Sequence, residues 1–113
     1  FKLIQLSNQA SDQIWEEVEG WNKFSKWSLG IQLVRSADSI SANLSEAYGR
    51  YTFKEKKLFC MFARGSLCET INWIKKADKR KLIDPCKSNE ILDTLIDISY
   101  KLNGYIRAMR KTV

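Results

Sequence analysis

Apolar residues recur every three or four positions along nearly the whole chain, and this spacing limits the fold more than any other feature. Leu6, Ala10, Ile14, Val18 and Trp21 form one stripe, predicting a helix over about residues 6–22. Leu29, Leu33, Ala37, Ile40, Leu44 and Ala47 form a second, over about 27–48. Between them, Lys23 to Ser28 is expected to turn, with Ser25 or Ser28 as the cap and Gly49 as a left-handed stop at the far end. Thr52 and Glu55 have capping-box spacing and open a third helix, about 53–79, with Leu58, Phe62, Leu67, Ile71 and Ile74 as its stripe. Phe59, Ala63 and Trp73 widen that apolar arc. Asp84-Pro85 breaks the pattern, and Ser88 or Asn89 is expected to cap a fourth helix, about 89–110. Its Ile91, Leu95, Ile98, Leu102, Tyr105 and Met109 have heptad spacing. Four amphipathic helices with short connections predict an all-α, antiparallel up-down-up-down four-helix bundle filling residues 1–113 as a single domain.

Several function classes drop out. The chain has no histidine, so Ser-His-Asp triads, His-ligated metals, the Glu-x-x-His di-iron bundles and Arg-x4-6-His ribonucleases have no counterpart here. No P-loop or Gly-x-Gly-x-x-Gly spacing is present. No cofactor and no metal are expected. The three cysteines, Cys60, Cys68 and Cys86, include no Cys-x-x-Cys pair. They read as two buried small residues and one loop thiol in a reducing, cytoplasmic setting. No stretch approaches the ~18 consecutive apolar residues of a membrane span.

Charge is uneven. The chain carries +6 overall, and residues 53–81 alone hold nine basic residues against three acidic ones. The bundle order gathers Arg50, Lys54, Lys56, Lys57, Arg107, Arg110 and Lys111 at one end, and Lys75, Lys76, Lys79, Arg80 and Lys81 at the other. Cations at helix C-termini offset the macrodipole by ~0.3–1 kcal/mol each, which accounts for 75–81 and 107–111 without any partner. Lys54, Lys56 and Lys57 fall at a helix N-terminus, where the dipole opposes them. A phosphate backbone is the partner that such an excess suits. Tyr48 and Tyr51 flank Arg50 and could stack on unpaired bases, although packing of a helix end is the commoner use.

Polar residues also interrupt the stripes. Arg35, Glu46, Arg64 and Glu69 are expected to form a charge-assisted network between the second and third helices, held ionised rather than catalytic. Gly65, between Arg64 and Ser66, is expected to mark close approach of a second backbone.

Gln32-Leu33-Val34-Arg35-Ser36-Ala37, Ser39-Ile40, Asn43-Leu44, Glu46, Gly49-Arg50 and Ala63-Arg64-Gly65-Ser66-Leu67 with Glu69 follow a pattern. Over residues 29–74 the chain resembles the four-helix bundle family of proteins encoded in intervening sequences of 23S ribosomal RNA genes, to which the accessory variability protein of diversity-generating retroelements is related. The resemblance implies a small bacterial protein, a barrel-like homopentamer, no established enzymatic activity and suspected RNA binding. It also singles out Gln32, Arg35, Asn43, Glu46, Arg64, Ser66 and Glu69 as motif residues. Val34 stands where the family tends to carry a second arginine, and Ser45-Glu46-Ala47-Tyr48 replaces its usual Ala-Glu-Gly.

Assembly has support in the residues themselves. Trp15, Trp21, Trp27 and Trp73 join Phe24, Phe53, Phe59 and Phe62 in a bundle four helices wide, more than one small core encloses. The expectation is a non-enzymatic oligomer that binds nucleic acid, RNA above all, through basic surface with low sequence specificity. The alternative is an adaptor whose partner is another protein.

Overall fold

A computed structural model of the chain describes residues 1–111, with side chains through Met109. Helix α1 spans Lys2–Glu19. Helix α2 is one continuous run: a first turn Lys23–Ser25, a π-helical turn Lys26–Gly30 and an α-helix Ile31–Gly49. Helix α3 spans Phe53–Lys79 and α4 spans Pro85–Lys111.

The ends of the helices differ from expectation for local reasons. Helix α1 starts at Lys2 because Leu3 and Ser7 extend the buried stripe, and it ends at Glu19, so Trp21 packs on the core from the connection. Residues 23–25 are helical rather than a turn, and the cap is Asn22, neither Ser25 nor Ser28: its Oδ1 accepts the Ser25 amide at 2.9 Å. Gly49 keeps an ordinary φ, and α2 ends when Arg50 turns extended (φ −79°, ψ 153°). Helix α3 begins with the Thr52 hydroxyl accepting the Glu55 amide at 3.2 Å. Helix α4 begins at Pro85, before Ser88 and Asn89, because proline in the first turn has no amide proton to leave unpaired. Ser88 is buried instead, its hydroxyl donating to the Asp78 carboxylate at 2.7 Å and so tying α4 to α3.

The core is the expected stripes with two shifts. In α4, Ile106 takes the place of Tyr105, which lies at the edge of the core, 38% exposed. In α3, Leu58 and Phe62 lie outside, each 48% exposed, while Cys60, Ala63, Leu67, Thr70, Ile74 and Ala77 face inward. The wide apolar arc offers α3 two alternative faces, and the one with small residues lets α2 and α4 come closer. Of the cysteines only Cys60 is buried; Cys68 and Cys86 are exposed, and both lie on helices rather than in a loop.

Helix α1 packs on α2 and α4, and α3 packs on the same two. Across the three seams between consecutive helices the contacts run in opposite chain directions. Ser11 bonds Asp38 while Val18 meets Gly30; Ser39 bonds Ser66 while Ser36 bonds Thr70; Arg64 bonds Asn103 while Asp78 bonds Ser88. The result is a rod of 48 × 22 × 18 Å.

Candidate nucleic-acid interface

The two basic ends are built differently. At the α2–α3 turn much of the charge is taken up internally. Arg50 pairs with Glu46 at 2.6 Å and Glu55 at 3.3 Å, and its guanidinium lies 4.6 Å from the Phe59 ring centroid. Lys56 donates to the carbonyls of Tyr48 at 3.2 Å and Ala47 at 3.4 Å. A cation near the start of α3 thus serves the end of α2, where the dipole favours it. Lys54 and Arg107 are exposed and Lys57 is half-buried. None of the three forms an ion pair with a described carboxylate. The sequence also assigns Arg110 and Lys111 to this end, and their side chains lie outside the described residues.

At the opposite end, Lys75, Lys76, Lys79, Arg80 and Lys81 are all exposed, and none pairs with a described carboxylate. Helix α3 ends there in a Schellman turn: the Leu82 amide donates to Ala77 O at 2.9 Å and the Lys81 amide to Asp78 O at 3.0 Å. The turn holds Lys81 at φ 61°, a left-handed conformation in which glycine is the easier residue. The one signal of this strain in the sequence is a chain reversal with no glycine between Lys79 and Pro85.

Of the two tyrosines, Tyr51 is 97% exposed, whereas Tyr48 stacks on Phe1 at 6.3 Å between centroids.

The expected Arg35–Glu46–Arg64–Glu69 network does not form. Glu46 and Arg35 are three turns apart along α2, some 16 Å at a helical rise of about 1.5 Å per residue. Glu46 pairs with Arg50 instead. Arg64 and Glu69 lie on opposite flanks of α3, and Arg64 reaches α4, donating to Asn103 Oδ1 at 3.2 Å. What joins α2 to α3 is a neutral ladder. Thr70 Oγ1 lies 2.8 Å from Ser36 Oγ and Ser66 donates to Ser39 at 3.0 Å, while Asn43 donates to Ser39 O at 2.9 Å within α2. Arg35 and Glu69 flank a shallow groove of about 320 Å³ with Gln32, Ser36 and Ser39, without an ion pair of their own among the described residues. Gly65 is exposed, with nothing within 4 Å of where a Cβ would stand, so it marks no contact inside the bundle. The close approach is at Gly30, where a Cβ would meet Val18 Cγ1 at 2.8 Å.

A second surface lies where α1 meets the start of α2. Trp15, Val18, Ile31 and Val34 line an apolar groove of about 390 Å³ rimmed by Glu19, Lys26 and Arg35. Trp27 (67% exposed) and Phe24 (82% exposed) lie outward on the π turn and the helical turn before it.

No group of three or more Cys, Asp or Glu side chains among the described residues stands close enough to hold a metal ion. No described helix is long and apolar enough to cross a membrane. Burial pushes the Cys60 thiol above its ordinary pKa, with Lys56 pulling weakly the other way. Burial also raises Tyr105, and the negative charge of a Cys60 thiolate adds to it.

These features define a small all-helical bundle with exposed basic clusters and exposed aromatic side chains. The sequence model of the 23S rRNA-intervening sequence proteins matches residues 1–104, and the chain belongs to that family. No curated protein sequence matches the chain. Among solved structures, the fold is similar to that of a protein of unknown function from the S23 ribosomal protein family of Bacteroides thetaiotaomicron. That protein is 20% identical, with a TM-score of 0.81 over 92% of this chain and 97% of the other.

Proposed function

We propose that this protein is a non-enzymatic, oligomeric, cytoplasmic bundle, a homopentamer as the family resemblance implies, that binds nucleic acid, RNA above all, through its basic ends with little sequence preference. One observation carries the reading: Lys75, Lys76, Lys79, Arg80 and Lys81 stand exposed without a described carboxylate partner at one end of the rod. The helix dipole rewards Lys76 and Lys79 in the last turn most, and Lys75, just before that turn, gains less. Lys81 is moreover a cation kept in a strained backbone position. Lys54, Lys57 and Arg107 supply a smaller patch at the other end, and five copies of a weak site gain avidity on one long strand.

The test is binding of a fluorescent single-stranded RNA followed by anisotropy between roughly 50 and 200 mM salt. Affinity falls steeply with salt, and the triple variant K79E/R80E/K81E lowers the slope of log K against log salt by about 2, at ~0.7 per phosphate contact on a single strand. Affinity indifferent to salt overturns the proposal.

A second reading has its own support. The groove beside Trp15, with Trp27 and Phe24 outward, suits a protein partner better than a phosphate. Recovery of one stoichiometric protein partner, unaffected by nuclease, favours the adaptor.

A further inference from the structure

We infer that the outward face of α3 seats the outward face of α4 from a second copy of the chain. This rests on the assembled reading above and assigns its joint. Each face carries a mid-helix glycine that the bundle itself does not use. A Cβ at Gly65 would meet nothing within 4 Å, and one at Gly104 would meet only the end of Arg107 at 3.9 Å. Glycine is disfavoured in a helix interior, and its usual return is room for a neighbour. Here that room opens outward.

The two glycines stand at nearly the same height. Arg64 pairs with Asn103 and Asp78 with Ser88, so Gly65 and Gly104 lie within one turn of each other along the rod. Copies related by rotation about an axis along the rod keep equal heights, so the next copy's Tyr100 and Ile96 arrive opposite the segment from Gly65 to Asn72. Tyr100 is 77% exposed and Ile96 56% exposed, and neither has a role in its own bundle's core. Leu58 and Met61 continue the receiving face. Charge fits where it is free: Asp93 comes within a turn of Lys76, neither pairing with a described residue, while Asp97, level with Glu69, is already paired with Lys101 at 2.6 Å. Pairing α3 with α3 about Gly65 would set Lys54 against Lys76, which disfavours a two-fold joint. The joint is therefore between unlike faces. Neighbouring corners of a four-helix bundle point roughly 90° apart, a turn that closes a ring after about four or five copies.

The experiment is light scattering on the eluting full-length protein. The wild type elutes as one closed assembly. Gly65→Leu and Tyr100→Ala each reduce it to single chains with helicity unchanged, because both positions are open to solvent. Mixed together, the two variants form one-to-one pairs, since each keeps the face the other lacks. Lys76→Asp lowers the assembled fraction and adding Asp93→Lys restores it. A wild type that is a single chain overturns the joint and the assembled reading together. An assembled wild type whose mass is unmoved by Gly65→Leu and Tyr100→Ala overturns the face assignment alone.

Discussion

Gly30→Ala is the perturbation whose sign the packing decides most sharply. In an exposed helix position the change stabilises by about 1 kcal/mol, the difference in helix propensity. At Gly30 the new methyl would lie 2.8 Å from Val18 Cγ1, 3.4 Å from the Ser25 carbonyl oxygen and 3.6 Å from the Trp21 ring. Carbon atoms prefer about 3.5–4.0 Å, so α1 and the π turn must move apart. Overpacking of this kind costs ~1–3 kcal/mol, and the net effect is a loss of about 1 kcal/mol. Val18→Ala removes the clashing methyl at a cost of about 2 kcal/mol for the lost packing. In that background Gly30→Ala regains its propensity benefit, so the cycle shows a coupling of about 2 kcal/mol. The assay is urea unfolding followed by circular dichroism, repeated over a range of protein concentrations so that assembly does not enter the comparison. Gly49→Ala is the control, with nothing within 4 Å of its Cβ position. If Gly30→Ala stabilises the protein by itself, or has the same effect in the wild type and in the Val18→Ala background, the argument from close approach is wrong.

Asn22→Ala removes the side chain that caps α2 and lowers stability by about 1 kcal/mol in the same urea assay. Lys81→Gly relieves the left-handed lysine and raises stability by about 1 kcal/mol, while RNA affinity falls if the cluster binds as proposed; a loss of stability would refute the strain. Cys60 adds a pH dependence. Its folded pKa is raised by burial, so its contribution is fully present below the unfolded thiol pKa of about 8.5 and is lost as pH climbs above it, at no more than about 1.4 kcal/mol per pH unit. Cys60→Ala flattens that alkaline slope in unfolding curves taken on either side of pH 8.5, about the thiol's own unfolded value; an unchanged slope would assign it to other groups.

Much of the fold was legible because helical periodicity is a one-dimensional signal. Leu33, Ala37, Ile40 and Leu44 must share a face wherever α2 sits, and they are buried. The bounds of α3 follow from Thr52 and its partner Glu55, a contact made within one turn. What failed needed a second chain segment. Whether α3 turns Phe62 or Ala63 inward depends on how near α2 and α4 come, and periodicity is silent about distance. The extra residue of the π turn shifted the start of α2, and nothing in Lys26–Gly30 announces it. The four-charge network failed because charged residues were joined by type, whereas their flanks on each helix send Arg64 to Asn103 and Glu46 to Arg50.

The same distinction governs the candidate site. By residue type alone, Arg50 and Lys56 equal Lys79 and Lys81 as contributors to a basic surface. Their geometry separates them: a guanidinium held by two carboxylates and a ring, and an ammonium on two carbonyls, have little left for a phosphate. Removing them would lower stability along with any binding, and a binding defect in such a variant would say little about the ligand. The cluster from Lys75 to Lys81 has no such internal duty beyond the helix dipole. Charge reversal there leaves Ile74, Ala77 and Ile83 buried and costs only the dipole interaction, about 0.3–1 kcal/mol per cation. A loss of RNA affinity at that end, with the protein still fully folded under the binding conditions, therefore reports on the surface.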